Sequence, residues 1–330
     1  MNKIIDHRHA HQLCNKYHES DRSLCVIVKD SKEARLLKNE LSLYTDKIRY
    51  FPEKEILPYD HFSIPENILK ERFQILNTLN ENKEIVISTV KSLFELYPTI
   101  DLYKSREIFQ IQDKITLDNL EKILISLNYK KTSKIDSLNQ YSLRGGIIDI
   151  FTPIYKNPLR VEIFDDVIES IRFFDIETQL SIDKIHNFKL TKSSLYSFDT
   201  ENLKVFKDNW RNYFQNNDER HCEIFQKLNN KEKAEGSDIY LPLFFNNTNS
   251  FVDLFSKYEF IFLENLENDI TSYNSYIHQR YEDENIDASR PLMHPKHSFI
   301  DKNIIQSFCS KDKIIKEIDI YSEPKFHDFV

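Results

Sequence analysis

The order of apolar and polar positions divides the chain into three stretches. Between residues 23 and 98, short apolar runs alternate with helical patterns. Ser23-Leu-Cys-Val-Ile-Val-Lys29 reads as a buried strand, and Asp30 or Ser31 can cap a helix running to about Leu43, with Ala34, Leu36, Leu37 and Leu41 on its apolar side. Residues 47–51 predict a second strand, 65–82 a second amphipathic helix, 84–90 a third strand and 91–97 a short helix. Strands alternating with helices argue for a parallel sheet. The pattern changes near residue 106. After a helix at about 116–127, strands at 140–143, 147–151, 159–164, 167–174 and 184–190 read as a meander, and the short links Arg144-Gly-Gly146 and Asp165-Asp166 suit antiparallel hairpins. From Thr200 helices return, at about 200–214, 218–229, 266–283 and 301–309, with a strong strand at 258–263 and a last one at 314–321. The expected fold is α/β and discontinuous. A first α/β piece (1–105) is followed by a β-rich, mostly antiparallel insertion (106–190) and a second α/β piece (191–330) that completes the first domain, so that 258–263 shares a sheet with 23–29.

Composition then removes whole classes of function. A chain of 330 residues has room for two domains and a sizeable core. It holds only 3 glycines, Gly145, Gly146 and Gly236, and none of these positions can spell a Walker A loop, a dinucleotide fingerprint or a nucleophile elbow. Bare backbone N–H groups that could wrap a phosphate are missing from residues 1–144, and no nucleotide or other cofactor is expected. The net charge of −8 is the wrong sign for a dedicated DNA binder, so a nucleic-acid role needs a local patch or a partner. Four scattered cysteines, Cys14, Cys25, Cys222 and Cys309, suit reduced thiols. The start of the chain has no apolar stretch suited to a signal peptide, and no apolar run reaches membrane-spanning length, which places the expected location in the cytoplasm and away from membranes.

Several clusters invite a chemical reading. His7, His11, Cys14 and His18 fall on one helical face and could serve a metal-dependent hydrolase, yet they spread over about 16 Å at 1.5 Å per residue, too far to converge on one ion. His294 and His297 have no acidic or cysteine companion nearby and read as a surface loop. Asp283-Glu284 follows a polar helix and so differs from the acidic pair that an apolar strand presents to magnesium, while Asp165-Asp166 reads as a hairpin turn. No catalytic residue and no metal site is expected. The densest stretch is Arg144-Gly-Gly-Ile-Ile-Asp-Ile-Phe151, where paired glycines between strands point to a turn needing φ > 0 beside a close backbone. In Leu159-Arg-Val-Glu-Ile-Phe164, alternation puts Arg160, Glu162 and Phe164 on one face and three aliphatic residues on the other. An exposed arginine beside an exposed aromatic is the usual make-up of a protein-interface anchor. An outer sheet face that merely carries a phenylalanine fits the same pattern.

Leu143-Arg-Gly-Gly-Ile-Ile-Asp-Ile-Phe-Thr-Pro153, Leu159 through Asp175, and Thr178-Gln179 closely resemble the N-terminal region of the bacterial transcription-repair coupling factors, itself similar to excinuclease B. Leu57-Pro-Tyr-Asp-His-Phe-Ser63, the helix around Arg72, Thr89-Val90 and Leu241-Pro-Leu-Phe-Phe245 add supporting matches in the same order. The resemblance implies a degenerate P-loop-like α/β domain, without a working nucleotide site, in two pieces around a β domain that docks excinuclease A. It nominates Arg144, Arg160 and Phe164 as the partner-binding residues. The family's ATP-driven translocase motor and polymerase-binding domain lie beyond the end of this chain, so links to RNA polymerase and DNA are expected to be indirect. On the same resemblance the chain begins just after the family's first strand. A non-catalytic recruiting module is expected, with a metal-dependent hydrolase and a direct DNA-binding module as the alternatives. Both arginines are expected to be free to fork onto partner carboxylates, with Glu162 either between them or solvated, so Arg160→Glu should abolish docking and leave the melting temperature nearly unchanged.

Overall fold

The computed structural model describes residues 7–309 except 105–106, 193–197, 199, 216–218, 233, 264–265 and 288. The strand expected at 314–321 lies outside the described residues. Helix α1 (His7–Glu19) leads into β1 (Leu24–Val28), α2 (Ser31–Leu41), β2 (Ile48–Tyr50), α3 (Glu66–Asn77), β3 (Ile85–Thr89) and α4 (Val90–Phe94). Asp30 caps α2, its carboxylate accepting from the backbone N–H groups of Lys32 and Glu33 at 3.0 Å each. Helix α3 stops at Asn77, short of the expected 82, because the chain turns there and Asn80 takes φ +68°.

Strands β1, β2 and β3 pair in parallel with β14 (Glu259–Phe262), in the order β14-β1-β3-β2. Leu24 opposes Glu259 and Ile85 at once, so the late strand sits directly beside the first. Every side chain of β1 and β3 is buried, the pattern of a sheet covered on both faces. The two faces divide by alternation. Leu24, Val26 and Val28 pack with Ala10, Leu13 and Tyr17 of α1 and with Leu37 and Leu41 of α2, while Cys25 and Ile27 turn to an aromatic layer that includes Phe51, Phe94, Phe251 and Phe255. The second layer mixes residues up to Tyr103 with residues after 250, so one core spans both chain pieces.

Between them lies a separate core. Strands β4 (Leu96–Tyr97), β5 (Glu107–Gln110) and α5 (Leu117–Ser126) lead into a six-stranded sheet made of β6 (Lys130–Lys131), β7 (Gln140–Arg144), β8 (Ile147–Phe151), β9 (Leu159–Phe164), β10 (Val167–Phe174) and β11 (Ser181–Lys184). Its pairings are antiparallel except for the short β6-β7 contact. Leu120 and Leu124 of α5 close over Ile148, Ile150, Leu159, Val161 and Ile171, so one face of the sheet is core, while the other carries the polar side chains of Asp149, Arg160 and Glu162. The single strand expected at 184–190 is two strands, because after Lys184 the chain leaves β10 and β12 (Asn187–Leu190) pairs with β5. That exchange stacks Phe188 on Phe109 with ring centroids 5.2 Å apart, burying an aromatic pair.

Beyond the insert, α6 (Thr200–Tyr213) and α7 (Glu223–Asn229) pack with a 3₁₀ segment, Ser237–Phe244, around Phe206, Trp210, Phe225 and Tyr240. A short β13 (Asn249–Ser250) pairs with β4, and α8 (Phe251–Leu254) precedes β14. Helices α9 (Glu267–Glu284), α10 (Pro295–Ser298) and α11 (Lys302–Cys309) complete the body. No helix among the described residues is long and apolar enough to cross a membrane. The insert rests on the body through Lys70 of α3, whose ammonium donates to the Lys156 carbonyl at 2.6 Å and lies 4.8 Å from the Phe151 ring centre.

Candidate docking surface

Of the N-terminal stripe, the His7 side chain lies outside the described residues, and the other three side chains do not converge. Cys14 turns into the core, whereas His11 and His18 are exposed, His11 packing on Tyr44 and accepting at Nδ1 from the Asn15 amide nitrogen at 3.4 Å. Among the described residues no group of three His, Cys, Asp or Glu side chains could hold a metal ion. Asp283 and Glu284 end α9, where Glu284 pairs with Arg280 at 2.8 Å and His61 at 3.2 Å. His294 and His297 frame α10 and lie against Tyr281 and Tyr213, with ring centroids 5.3 and 5.0 Å apart.

The outer face of the insert sheet is different. Its geometry starts with two tight turns. Gly145 takes the left-handed φ of +60° that the turn needs, and a Cβ on Gly146 would meet the Ile163 carbonyl oxygen at 2.7 Å, so β9 lies close against the β7–β8 turn only because Gly146 lacks a side chain. Asp165 and Asp166 take φ 47° and 58°, the left-handed pair that joins β9 to β10 in a two-residue hairpin. With register set at both turns, Asp149 lies opposite Arg160, Arg160 opposite Arg172, and Glu162 opposite both Ile147 and Ser170. Alternation along β9 then leaves Arg160, Glu162 and Phe164 on the solvent side, with Leu159, Val161 and Ile163 buried below.

Arg144 and Arg160 converge on one residue absent from the expected set. Asp149, with its side chain 2% exposed, accepts from Arg160 Nε at 2.7 Å and Nη2 at 2.9 Å, and from Arg144 Nη2 at 3.2 Å. Gln179 takes more of Arg160, through its carbonyl oxygen at 3.4 Å and its Oε1 at 3.2 Å, and the Phe174 ring centre lies 4.2 Å from the guanidinium carbon. Of the five guanidinium N–H groups, four are therefore engaged within the chain. This corrects the expectation of two equally free arginines. The hydrogen bonds from Arg160 to Asp149 hold the Arg160 cation above its ordinary pKa. Arg144 keeps its side chain 55% exposed at the turn.

Glu162 is neither free nor set between the two arginines. Its oxygens accept from Arg172 Nη2 at 2.5 Å and from Ser170 Oγ at 2.6 Å, and these bonds, Arg172 foremost, hold its carboxyl below the usual range. Phe164 stands at the far end of β9, 64% exposed. The face thus joins Arg144 and Arg160 through Asp149 and leaves Phe164 as a separate apolar projection. Asp149 had a readable signal, since a carboxylate in the run Ile147-Ile-Asp-Ile150 needs a cation once the strand is buried. Arg172 and Gln179 had none, because their roles depend on the register across β10 and on the loop before β11.

Residues 108–196 match the family model described as the UvrB interaction domain. The transcription-repair-coupling factor of Haemophilus influenzae is 28% identical over 283 residues, covering 84% of this chain and 25% of that protein. Its counterpart in Escherichia coli is 26% identical over 279 residues, 82% of this chain and 24% of that protein. A Staphylococcus aureus relative of the same name (strain bovine RF122 / ET3-1) is 28% identical over 208 residues, 62% of this chain and 18% of its own length. The chain spans a quarter or less of the length of these relatives. The resemblance carried by residues 143–153 and 159–175 is thus shown: the chain is similar over most of its length to transcription-repair-coupling factors, and its β-rich centre matches the UvrB interaction domain.

Proposed function

We propose that this chain is a non-catalytic, cytoplasmic recruiting module of transcription-coupled DNA repair. In this reading a discontinuous α/β body (1–105 and 191–330) carries the insert 106–190, whose outer sheet face docks excinuclease A (UvrA). Contact with RNA polymerase and DNA is, in this reading, indirect and does not run through the insert face. The observation that carries the reading is the outer face itself: α5 buries one side of the insert sheet, and the other presents Arg144 and Phe164 to solvent beside a buried Asp149. Exposed aromatic and arginine side chains supply most of the energy of protein interfaces, and guanidinium groups choose acidic partners. The match of residues 108–196 and the names of the relatives support a role in transcription-coupled repair.

The direct test is titration of excinuclease A into the chain and its Phe164→Ala variant. Phe164 is 64% exposed, so its truncation leaves the fold intact. Loss of a central aromatic anchor weakens binding by about 2 kcal/mol, roughly thirtyfold. An unchanged affinity would show that the surface has been placed wrongly. ATP titrated into the same protein should give no micromolar binding, because no glycine occurs before Gly145 to build a phosphate loop. Micromolar binding that a substitution in this chain abolishes would overturn that expectation.

A further inference from the structure

The geometry points to Asp149 as a positioning residue of the docking face: its buried carboxylate, clamped by Arg160, holds the Arg144 guanidinium at the hairpin mouth for an acidic side chain of the partner. The inference rests on the docking reading above. Asp149 lies on the outer face of β8 with its side chain 2% exposed, a degree of burial at which an ionised carboxylate persists only with cations against it. Arg160 supplies the first cation through two parallel contacts, and Arg144 supplies the second on Oδ2, the oxygen that Arg160 Nη2 also reaches.

The two arginines differ in what they keep for a partner. Arg160 has its guanidinium over the Phe174 ring, contacts to Gln179, and a side chain 16% exposed. Arg144 has its one ion pair to Asp149 and a side chain 55% exposed. A carboxylate arriving from outside therefore meets Arg144 first. Without Asp149, Arg144 would sample many rotamers and be repelled by Arg160, and its ordering on binding would subtract from affinity. With Asp149 in place, part of that ordering is done beforehand. The other carboxylate of the face does not compete, since Glu162 is held by Arg172 and Ser170.

The test measures the affinity of the full chain for excinuclease A by calorimetry, in the parent, Asp149→Asn, Arg144→Ala and the double variant. Asp149→Asn should lose about tenfold in affinity in the parent background and less than about twofold once residue 144 is alanine, because nothing then remains to be positioned. Equal losses in both backgrounds would mark a purely structural role and overturn the inference. Should Asp149→Asn fail to fold, Arg144→Lys decides the matter at an exposed position. An ammonium keeps the charge but cannot fork between Asp149 and a partner carboxylate, so Arg144→Lys should fall as far as Arg144→Ala. Parent-like binding by Arg144→Lys would show that charge alone suffices and overturn the inference. If Arg144→Ala and Phe164→Ala both bind like the parent, the docking reading itself fails. If both weaken while Asp149→Asn matches the parent, only the positioning role fails.

Discussion

Arg160→Glu is expected to destabilise the insert as well as to abolish docking. The substitution would remove the cation that makes two contacts to Asp149, and would set a second carboxylate against a side chain 2% exposed. Removing one partner of a buried ion pair typically costs about 3–5 kcal/mol, because the remaining charge is left without compensation. Arg144 cannot take over alone, since its one contact reaches only Oδ2 and leaves Oδ1, the oxygen that Arg160 Nε holds, without a cation. The Phe174 ring would also lose the guanidinium lying 4.2 Å from its centre. A thermal melt of Arg160→Glu should fall by several degrees, whereas Phe164→Ala should melt close to the parent. A parent-like melt for Arg160→Glu would show that Asp149 does not depend on Arg160. This reverses the reading from residue types alone, in which charge reversal silenced a surface and left the fold untouched. The same geometry makes Phe164→Ala the cleaner probe of docking.

What the sequence disclosed about this chain follows the range of the forces involved. Strand β1 was legible because five consecutive buried positions leave no other assignment beside a capped helix, and Asp30 carries its capping role in its own side chain. The turns at Gly145 and Asp165-Asp166 were legible for the same local reason: left-handed backbone selects few residue types. The side of β9 facing solvent followed from alternation and holds residue by residue. Contacts set by distant register were not legible. The exchange of partners at Ile185–His186, which sends β12 to β5, depends on Phe109 stacking on Phe188 across nearly eighty residues. The commitment of Arg160 to Asp149 and Gln179 depends on two separate loops bringing β8 and β11 to the two sides of β9 and β10. Residue types therefore nominated a candidate docking face, and the ion pairs within it depend on register that residue types do not carry.

Glu95→Gln should cost the α/β body about 3 kcal/mol or more, although it preserves the shape of the side chain. Arg72 on α3 and Glu95 after α4 form an ion pair in which each side chain is 7% exposed. Arg72 Nη1 donates to Glu95 Oε1 and to the Pro52 carbonyl at 3.3 Å each, Nη2 donates to Glu95 Oε2 and to the Tyr97 hydroxyl, and the guanidinium carbon sits 4.6 Å from the Phe51 ring centre. The backbone beside the pair joins the two halves of the chain, since Ile300 N–H donates to the Phe94 carbonyl at 2.8 Å and Tyr97 pairs with Asn249. Burial pushes the Glu95 carboxyl up, but Arg72 and then Lys54 outweigh it and hold the carboxyl below its ordinary value of 4.5. A carboxyl whose pKa is depressed by folding contributes stability above its unfolded value and loses it as the pH falls through the folded one. The parent should therefore lose this contribution in acid, and Glu95→Gln, which has no carboxylate to protonate, should not. Denaturant melts would show a gap of about 3 kcal/mol at neutral pH that narrows as the solution is acidified below the ordinary glutamate range. The double variant Arg72→Met with Glu95→Leu should recover much of the loss, because an apolar pair leaves no buried charge without compensation. A gap that stays constant with pH, or a double variant less stable than Glu95→Gln, would show that the pair does not act through its charge.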